Sequence, residues 1–249
     1  MKMYVWIGIL GLASAAAICA EGGSVASVNR CAAALREEKR PTVSLNCLQQ
    51  SVTAARLAYG CADINPDLTC HQVEAVLSSV KDVLLHVVVA EEDETALRTA
   101  ASLLRWVPLI EGDVQDLREE LQRTTAPMRA LSIVQVLLAA NRAEPTDRRR
   151  FVDLWKDLRA AAKWPAPLFS DVVRKYPVPE SESLLKSMLE ESEPLAQQIA
   201  VEGLLQIGRT ALQGSRSRLL ELYCRKSATW TVNQDKLESA IVLLDAKCS

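Results

Sequence analysis

Glu191 is the side chain in this sequence whose type and neighbours could serve acid–base catalysis. Ser192 follows it, and residues 203–207 downstream read Gly-Leu-Leu-Gln-Ile. A carboxyl group that burial keeps protonated can act as a general acid in cleaving a glycosidic bond. The sequence offers little else for catalysis, because it has no glycine-rich phosphate loop and no G-x-S-x-G or H-E-x-x-H motif. Its two histidines, His71 and His86, leave little room for a histidine-based triad.

The Glu-Ser pair and the Gly-Leu-Leu-Gln segment resemble the lytic transglycosylases, where a glutamate followed by serine precedes a Gly-Leu-Met-Gln segment. The resemblance implies a cell-wall-active enzyme with Glu191 as its general acid. The spacing here is shorter than in that family, however, and its Asn-Ala-Gly segment does not follow. We therefore favour the alternative that Glu191 is an exposed acid in the run 190–193, with the apolar residues of 203–207 in the core. On this interpretation the protein is not an enzyme and needs no cofactor.

The best candidates for binding are three arginines and one tryptophan. Arg148, Arg149 and Arg150 follow Asp147 close to an expected helix start, and Trp164 lies at a helix junction. Arginine and aromatic side chains are typical anchors of protein interfaces. The arginines could contact an acidic protein or anionic lipid, and the alternative is simple solvation on a helix face.

Two further groups could suggest metals, but their spacing is wrong. The acidic run 91–94 lacks the ligand spacing of an EF-hand, so we expect it to supply negative charge to the next helix N-terminus. No C-x-x-C pair occurs, and the adjacent Cys70 and His71 would point in different directions from a helix. No metal site is predicted.

Residues 1–20 have the layout of a secretory signal peptide. Lys2 precedes the apolar stretch 4–18, and a small residue, Ala20, ends the segment. An uncleaved membrane anchor is one alternative, although the stretch is shorter than the roughly 20 residues that span a bilayer. Lipidation of Cys19 is another, although Ile18 occupies a position where a small residue is usual. We expect a secreted or periplasmic protein without a membrane span after signal cleavage.

The cysteine count agrees with export. Of seven cysteines, one lies in the leader, and an even number in an oxidising compartment suggests a disulfide framework. Free buried thiols in a cytosolic protein are the alternative. The remaining cysteines are Cys31, Cys47, Cys61, Cys70, Cys224 and Cys248.

Spacing and helix geometry suggest how these cysteines pair. Cys31 and Cys47 flank Pro41 almost symmetrically, so they would lie level if that proline separates two antiparallel helices. A helix from Cys47 to Cys61 would span about 21 Å, which is beyond disulfide reach. The predicted bonds are Cys31–Cys47, Cys61–Cys70 and Cys224–Cys248.

Composition and periodicity predict an all-α fold. Aliphatic residues are plentiful, glycine is scarce at nine, and the formal net charge of −2 does not suggest a nucleic-acid partner. Apolar residues recur every three or four positions, as in a single helix expected over 73–88 and in the Phe151–Leu158 stripe, which should place Trp155 in the core. Prolines mark where helices stop or start.

Helix pairs recur at about 34 residues, which is typical of an α-solenoid. Residues 93–224 resemble a HEAT-type repeat, most clearly at residues 192–223. TPR periodicity also fits, but its Trp/Gly/Tyr signature is missing, and an irregular bundle is the simpler alternative. We predict a right-handed stack of antiparallel helix pairs after a disulfide-linked N-terminal hairpin. Residues 21–249 would form one domain, with stapled helices over 21–90 and the repeat-like region over 91–249.

This architecture favours a non-enzymatic binding or scaffold protein that acts on another protein. An inhibitor, an immunity factor and an assembly chaperone fit equally well, because stacked helices bury their apolar faces and leave polar faces for recognition. The cell-wall enzyme using Glu191 and a structural envelope component are the alternatives.

Overall fold

The computed structural model describes residues 24–37, 42–58, 68–161, 163, 166–224 and 234–247. Every regular element among these residues is a helix, so the all-α prediction is confirmed. The chain divides into two compact units, one up to Arg142 and one from Ala143. The prediction of a single domain over 21–249 stays a prediction, and the units are described separately. The predicted signal peptide, 1–20, lies outside the described residues and stays a prediction.

The described residues of the first unit form seven helices. In its centre, α5 packs against α2, α4 and α7, and eight consecutive residues of α7 are buried. The helices are α1 (Val25–Glu37), α2 (Thr42–Ala58), α3 (Leu68–Ser78), α4 (Lys81–Ala90), α5 (Glu94–Leu104), α6 (Glu111–Arg123) and α7 (Pro127–Ala139).

The second unit is organised around α11, which packs against α9, α10, α12 and α14. Its α-helices are α8 (Pro145–Ala160), α9 (Ala166–Lys175), α10 (Glu182–Leu189), α11 (Pro194–Ile207), α12 (Arg209–Gln213), α13 (Arg216–Cys224) and α14 (Gln234–Leu243), with one 3₁₀ turn at Pro179–Ser181.

The predicted N-terminal hairpin is present. Helices α1 and α2 pack together, and Cys31 bonds to Cys47 with their Cα atoms 5.9 Å apart. Both cysteines are buried, so the disulfide lies inside the first unit. Cys70 and Cys224 are also disulfide-bonded. Their predicted partners, Cys61 and Cys248, lie outside the described residues, and those pairings stay predictions.

The single helix predicted over 73–88 is wrong, because the chain turns at Ser79 and Val80 and forms two helices, α3 and α4. The Ser79 hydroxyl donates to the Val76 carbonyl oxygen at 2.6 Å, and Arg36 donates to the Ser79 carbonyl at 3.1 Å. A serine that bonds its own backbone competes with the helical ladder. The apolar spacing continues through the turn, since Leu77, Val80 and Leu84 are all buried.

Helix starts follow the predicted signals. Pro127, Pro145 and Pro194 are the first residues of α7, α8 and α11, a position where the missing N–H costs nothing. Asp93 caps α5 by accepting the Ala96 amide at 2.7 Å. Of the acidic run 91–94, Asp93 and Glu94 therefore supply negative charge at the N-terminus of α5.

Five of the polar contacts between side chains or backbone of different elements, four in the second unit and one in the first, link residues thirty-two positions apart. Within the second unit, packed helices therefore share a common register. The linked pairs are Lys81–Asp113, Arg148–Glu180, Arg159–Glu191, Ser170–Glu202 and Arg174–Gln206.

Candidate protein-binding surfaces

The three consecutive arginines of α8 have different environments. Arg148 is half-buried, and its Nε lies 2.7 Å from a carboxylate oxygen of Glu180. Its Nη1 also donates to the Ala143 carbonyl oxygen at 2.8 Å. Arg148 therefore holds the start of α8 in place within its own unit.

Arg149 and Arg150 are exposed, and neither makes an ion pair within the described part of the chain. They begin a solvent-facing surface that continues along α8 through Asp153, Lys156 and Asp157, which are also exposed. We call these five residues the α8 face. The face carries both signs of charge, with the positive end at the helix start.

The opposite side of α8 is fixed by an aromatic cluster. Trp155 stacks on Phe169 with ring centroids 4.9 Å apart, and Phe151 meets both rings at 5.7 and 5.4 Å. All three side chains are fully buried, so Trp155 is a core residue as predicted. The α8 face therefore belongs to a helix whose position is fixed by its buried aromatic contacts. The other aromatic candidate, Trp164, lies outside the described residues.

Glu191 lies just beyond α10 and is bound to a cation. Both of its carboxylate oxygens accept from Nη2 of Arg159, at 2.7 and 2.6 Å. Its backbone carbonyl accepts from the Gln197 side chain, and Leu204 in the following helix is fully buried core. The carboxylate therefore joins the end of α8 to the end of α10. A catalytic role for it stays a prediction.

A groove in the first unit was not expected from the sequence. Its volume is about 520 Å³, within the range of ligand pockets. Glu91 and Glu92 from the α4–α5 turn and Glu94 at the start of α5 form one side, and Leu97 and Met128 supply apolar surface. Glu92 and Glu94 are exposed whereas Leu97 is buried, so the groove has an acidic rim and an apolar floor. We refer to it as the acidic groove.

Arg129 holds the walls of the acidic groove together. Its Nη2 donates to the Glu91 carbonyl oxygen at 3.1 Å, and its Nη1 to Glu120 of α6 at 3.4 Å. A cation beside the last carbonyls of α4 also complements the helix dipole. On the far wall, the hydroxyl of buried Thr124 accepts the Ala126 amide at 3.3 Å and fixes the α6–α7 turn.

Trp106 is already in contact with two cations of its own unit. The guanidinium of Arg56 lies 3.5 Å from the ring centroid and that of Arg105 lies 4.4 Å away. Burial holds the pKa of Arg56 below its ordinary value; Glu74 opposes this shift and the charge of Arg105 adds to it. These contacts make Trp106 part of a local cation–π stack.

The described residues contain no group of three or more His, Cys, Asp and Glu that could hold a metal ion. Likewise, none of the helices described is long and apolar enough to cross a membrane. No protein family matches this sequence, and neither a curated protein nor a solved structure matches the chain.

Proposed function

We propose that this is an exported, helical-repeat-like protein that binds another protein through its α8 face, where Arg149 and Arg150 meet acidic side chains of the partner. The single observation that carries this proposal is that two exposed arginines without ion-pair partners stand on a rigid helix. Their neighbour Arg148 forms an ion pair with Glu180 and fixes the helix, so only Arg149 and Arg150 present their charge to solvent.

The mixed charge of the α8 face supports a protein partner over an anionic membrane. Asp153 and Asp157 lie one and two turns beyond the arginines and are exposed. A membrane-binding helix concentrates lysine and arginine on its polar face, and these acids would be repelled by anionic lipid. A protein partner can present charges complementary to both the arginines and the aspartates, which gives specificity and raises the association rate.

Two observations support the remaining parts of the proposal. All four described cysteines, Cys31, Cys47, Cys70 and Cys224, are disulfide-bonded, which fits an oxidising compartment. The recurring separation of thirty-two residues between linked side chains fits stacked helical repeats. Such a protein would act as an inhibitor, an immunity factor or an assembly chaperone.

The test is affinity capture from the native compartment with three forms of the protein: wild type, Arg149→Glu/Arg150→Glu, and Arg209→Glu/Arg216→Glu. The last is a charge-matched control, because Arg209 and Arg216 are also exposed in the second unit and begin helices where glutamate is tolerated. We expect one partner to bind wild type and control alike and to bind the α8 variant at least about tenfold more weakly.

The proposal fails if the captured proteins are the same for all three forms. It also fails if the wild-type protein remains a monomer that binds no macromolecule from its compartment. Ordered self-assembly of the purified chain would instead support a structural envelope component.

A further inference from the structure

We propose that the acidic groove of the first unit is a second binding site, which takes a lysine- and arginine-bearing segment of a partner protein. This site shares no residue with the α8 face, and its rim is acidic whereas the α8 face carries both signs of charge. It is formed entirely by residues 91–129, and its volume of about 520 Å³ accommodates a few side chains.

Charge is the first argument. The two arginines that line the groove are already paired: Arg123 with Glu119 at 2.7 Å, and Arg129 with Glu120 at 3.4 Å. By contrast, Glu91, Glu92 and Glu94 make no ion pair within the described residues. The groove therefore presents uncompensated negative charge to whatever enters it.

The start of α5 accounts for only part of the acidic run. Asp93 already caps α5, and Glu94 at the first helical position complements the helix dipole. Glu91 and Glu92 precede the cap and lie between α4 and α5, where their carboxylates make no hydrogen bond or ion pair within the described residues. Acids without a structural role beside a concave surface are available for a cationic ligand.

The walls and floor indicate a peptide segment as the occupant. Leu97 and Met128 give the groove an apolar surface. The apolar stems of lysine and arginine side chains can pack on such a surface, whereas a hydrated metal cation cannot. Because Arg129 fastens both walls through its bonds to Glu91 and Glu120, the groove is preformed. Preformed walls lower the ordering cost of binding.

The experiment measures binding of a fluorescein-labelled twelve-residue Lys-Leu-Arg repeat peptide to the full chain by fluorescence anisotropy. A Glu-Leu-Glu repeat and spermine serve as comparison ligands. The groove variant is Glu92→Gln/Glu94→Gln, which keeps side-chain size and leaves Asp93 intact. The charge-matched control is Glu111→Gln/Asp116→Asn on α6, since both acids are exposed and neither lines the groove.

We expect the basic peptide to bind in preference to the acidic one, and about fivefold or more weakly to the groove variant at low salt. The control should bind as wild type does, and circular dichroism should show equal helix content in all forms. A second variant, Glu91→Gln/Glu92→Gln, changes only residues outside α5 and should show the same loss.

Equal binding to the groove variant and the control would overturn the proposal, because it would show attraction by general surface charge. Displacement of the peptide by spermine at equal charge concentration would also overturn it, because the groove would then take any polycation. Neither result depends on Arg149 or Arg150, so failure here leaves the α8 face to be judged by its own test.

Discussion

Among single residues, neighbouring side chains of one type have different roles. Arg148, Arg149 and Arg150 are adjacent in the sequence, yet the first is half-buried against Glu180 and the other two are exposed. Helical geometry predicts that one residue in such a run faces inward. The identity of its partner could not be predicted, because Glu180 lies thirty-two residues away on another element.

Glu191 gives a prediction that separates structure from catalysis. Replacing it with glutamine removes a charged bond to Arg159 from a partly buried site. We expect Glu191→Gln to lower the free energy of unfolding by about 0.5–1 kcal/mol, measured by urea denaturation. In a turbidity assay on peptidoglycan, wild type and variant should both remain at background. Lysis by the wild type that disappears in the variant would establish the enzymatic alternative.

Among the helices of the first unit, the N-terminal hairpin could be predicted. The hairpin of α1 and α2 follows from Pro41 and the spacing of Cys31 and Cys47, because disulfide geometry admits few arrangements. The break at Ser79 could not be predicted, since the apolar period continues across it and only the contact from Arg36 reveals the turn. The acidic groove was missed because its walls come from two turns that are distant in sequence.

Helices α10 and α11 pack closely at Gly203. A Cβ atom on Gly203 would lie 2.7 Å from Cδ1 of Leu185, a side chain that is fully buried. Overpacking should outweigh the gain in helix propensity, so we expect Gly203→Ala to lower the unfolding free energy by about 1 kcal/mol. This would show as an earlier urea midpoint.

Gly112→Ala is the matched control, because Gly112 lies in α6 with no atom near the added methyl group. That substitution should leave stability unchanged or raise it by up to about 1 kcal/mol. If both variants are stabilised, the contact between Gly203 and Leu185 is not tight, and the register of α10 on α11 would need revision.

One kind of polar link is repeated within the second unit and occurs once in the first. In the second unit, Arg148–Glu180, Arg159–Glu191 and Ser170–Glu202 all join residues thirty-two apart. The first unit has one such link, Lys81–Asp113. The period proposed from the sequence is about thirty-four residues, whereas these side-chain links join residues thirty-two apart; the repeat itself stays a prediction. Apolar periodicity alone locates helices but not their partners, which is why the polar links were not foreseen.

The covalent framework of the whole chain gives the last prediction. Protein recovered from its native location and digested without reduction should yield the linked peptides Cys31–Cys47, Cys61–Cys70 and Cys224–Cys248. Cys31 and Cys47 are buried, so their bond should resist mild reductant until the first unit unfolds. The Cys224–Cys248 bond would contribute roughly 3 to 4 kcal/mol of stability on the chain-entropy account.

Mass spectrometry of the linked peptides identifies all three bonds, and the N-terminal peptide should begin after Ala20. Recovery of six free thiols would place the protein in a reducing compartment. It would then contradict the proposal that the protein is exported and binds a partner outside the cytosol.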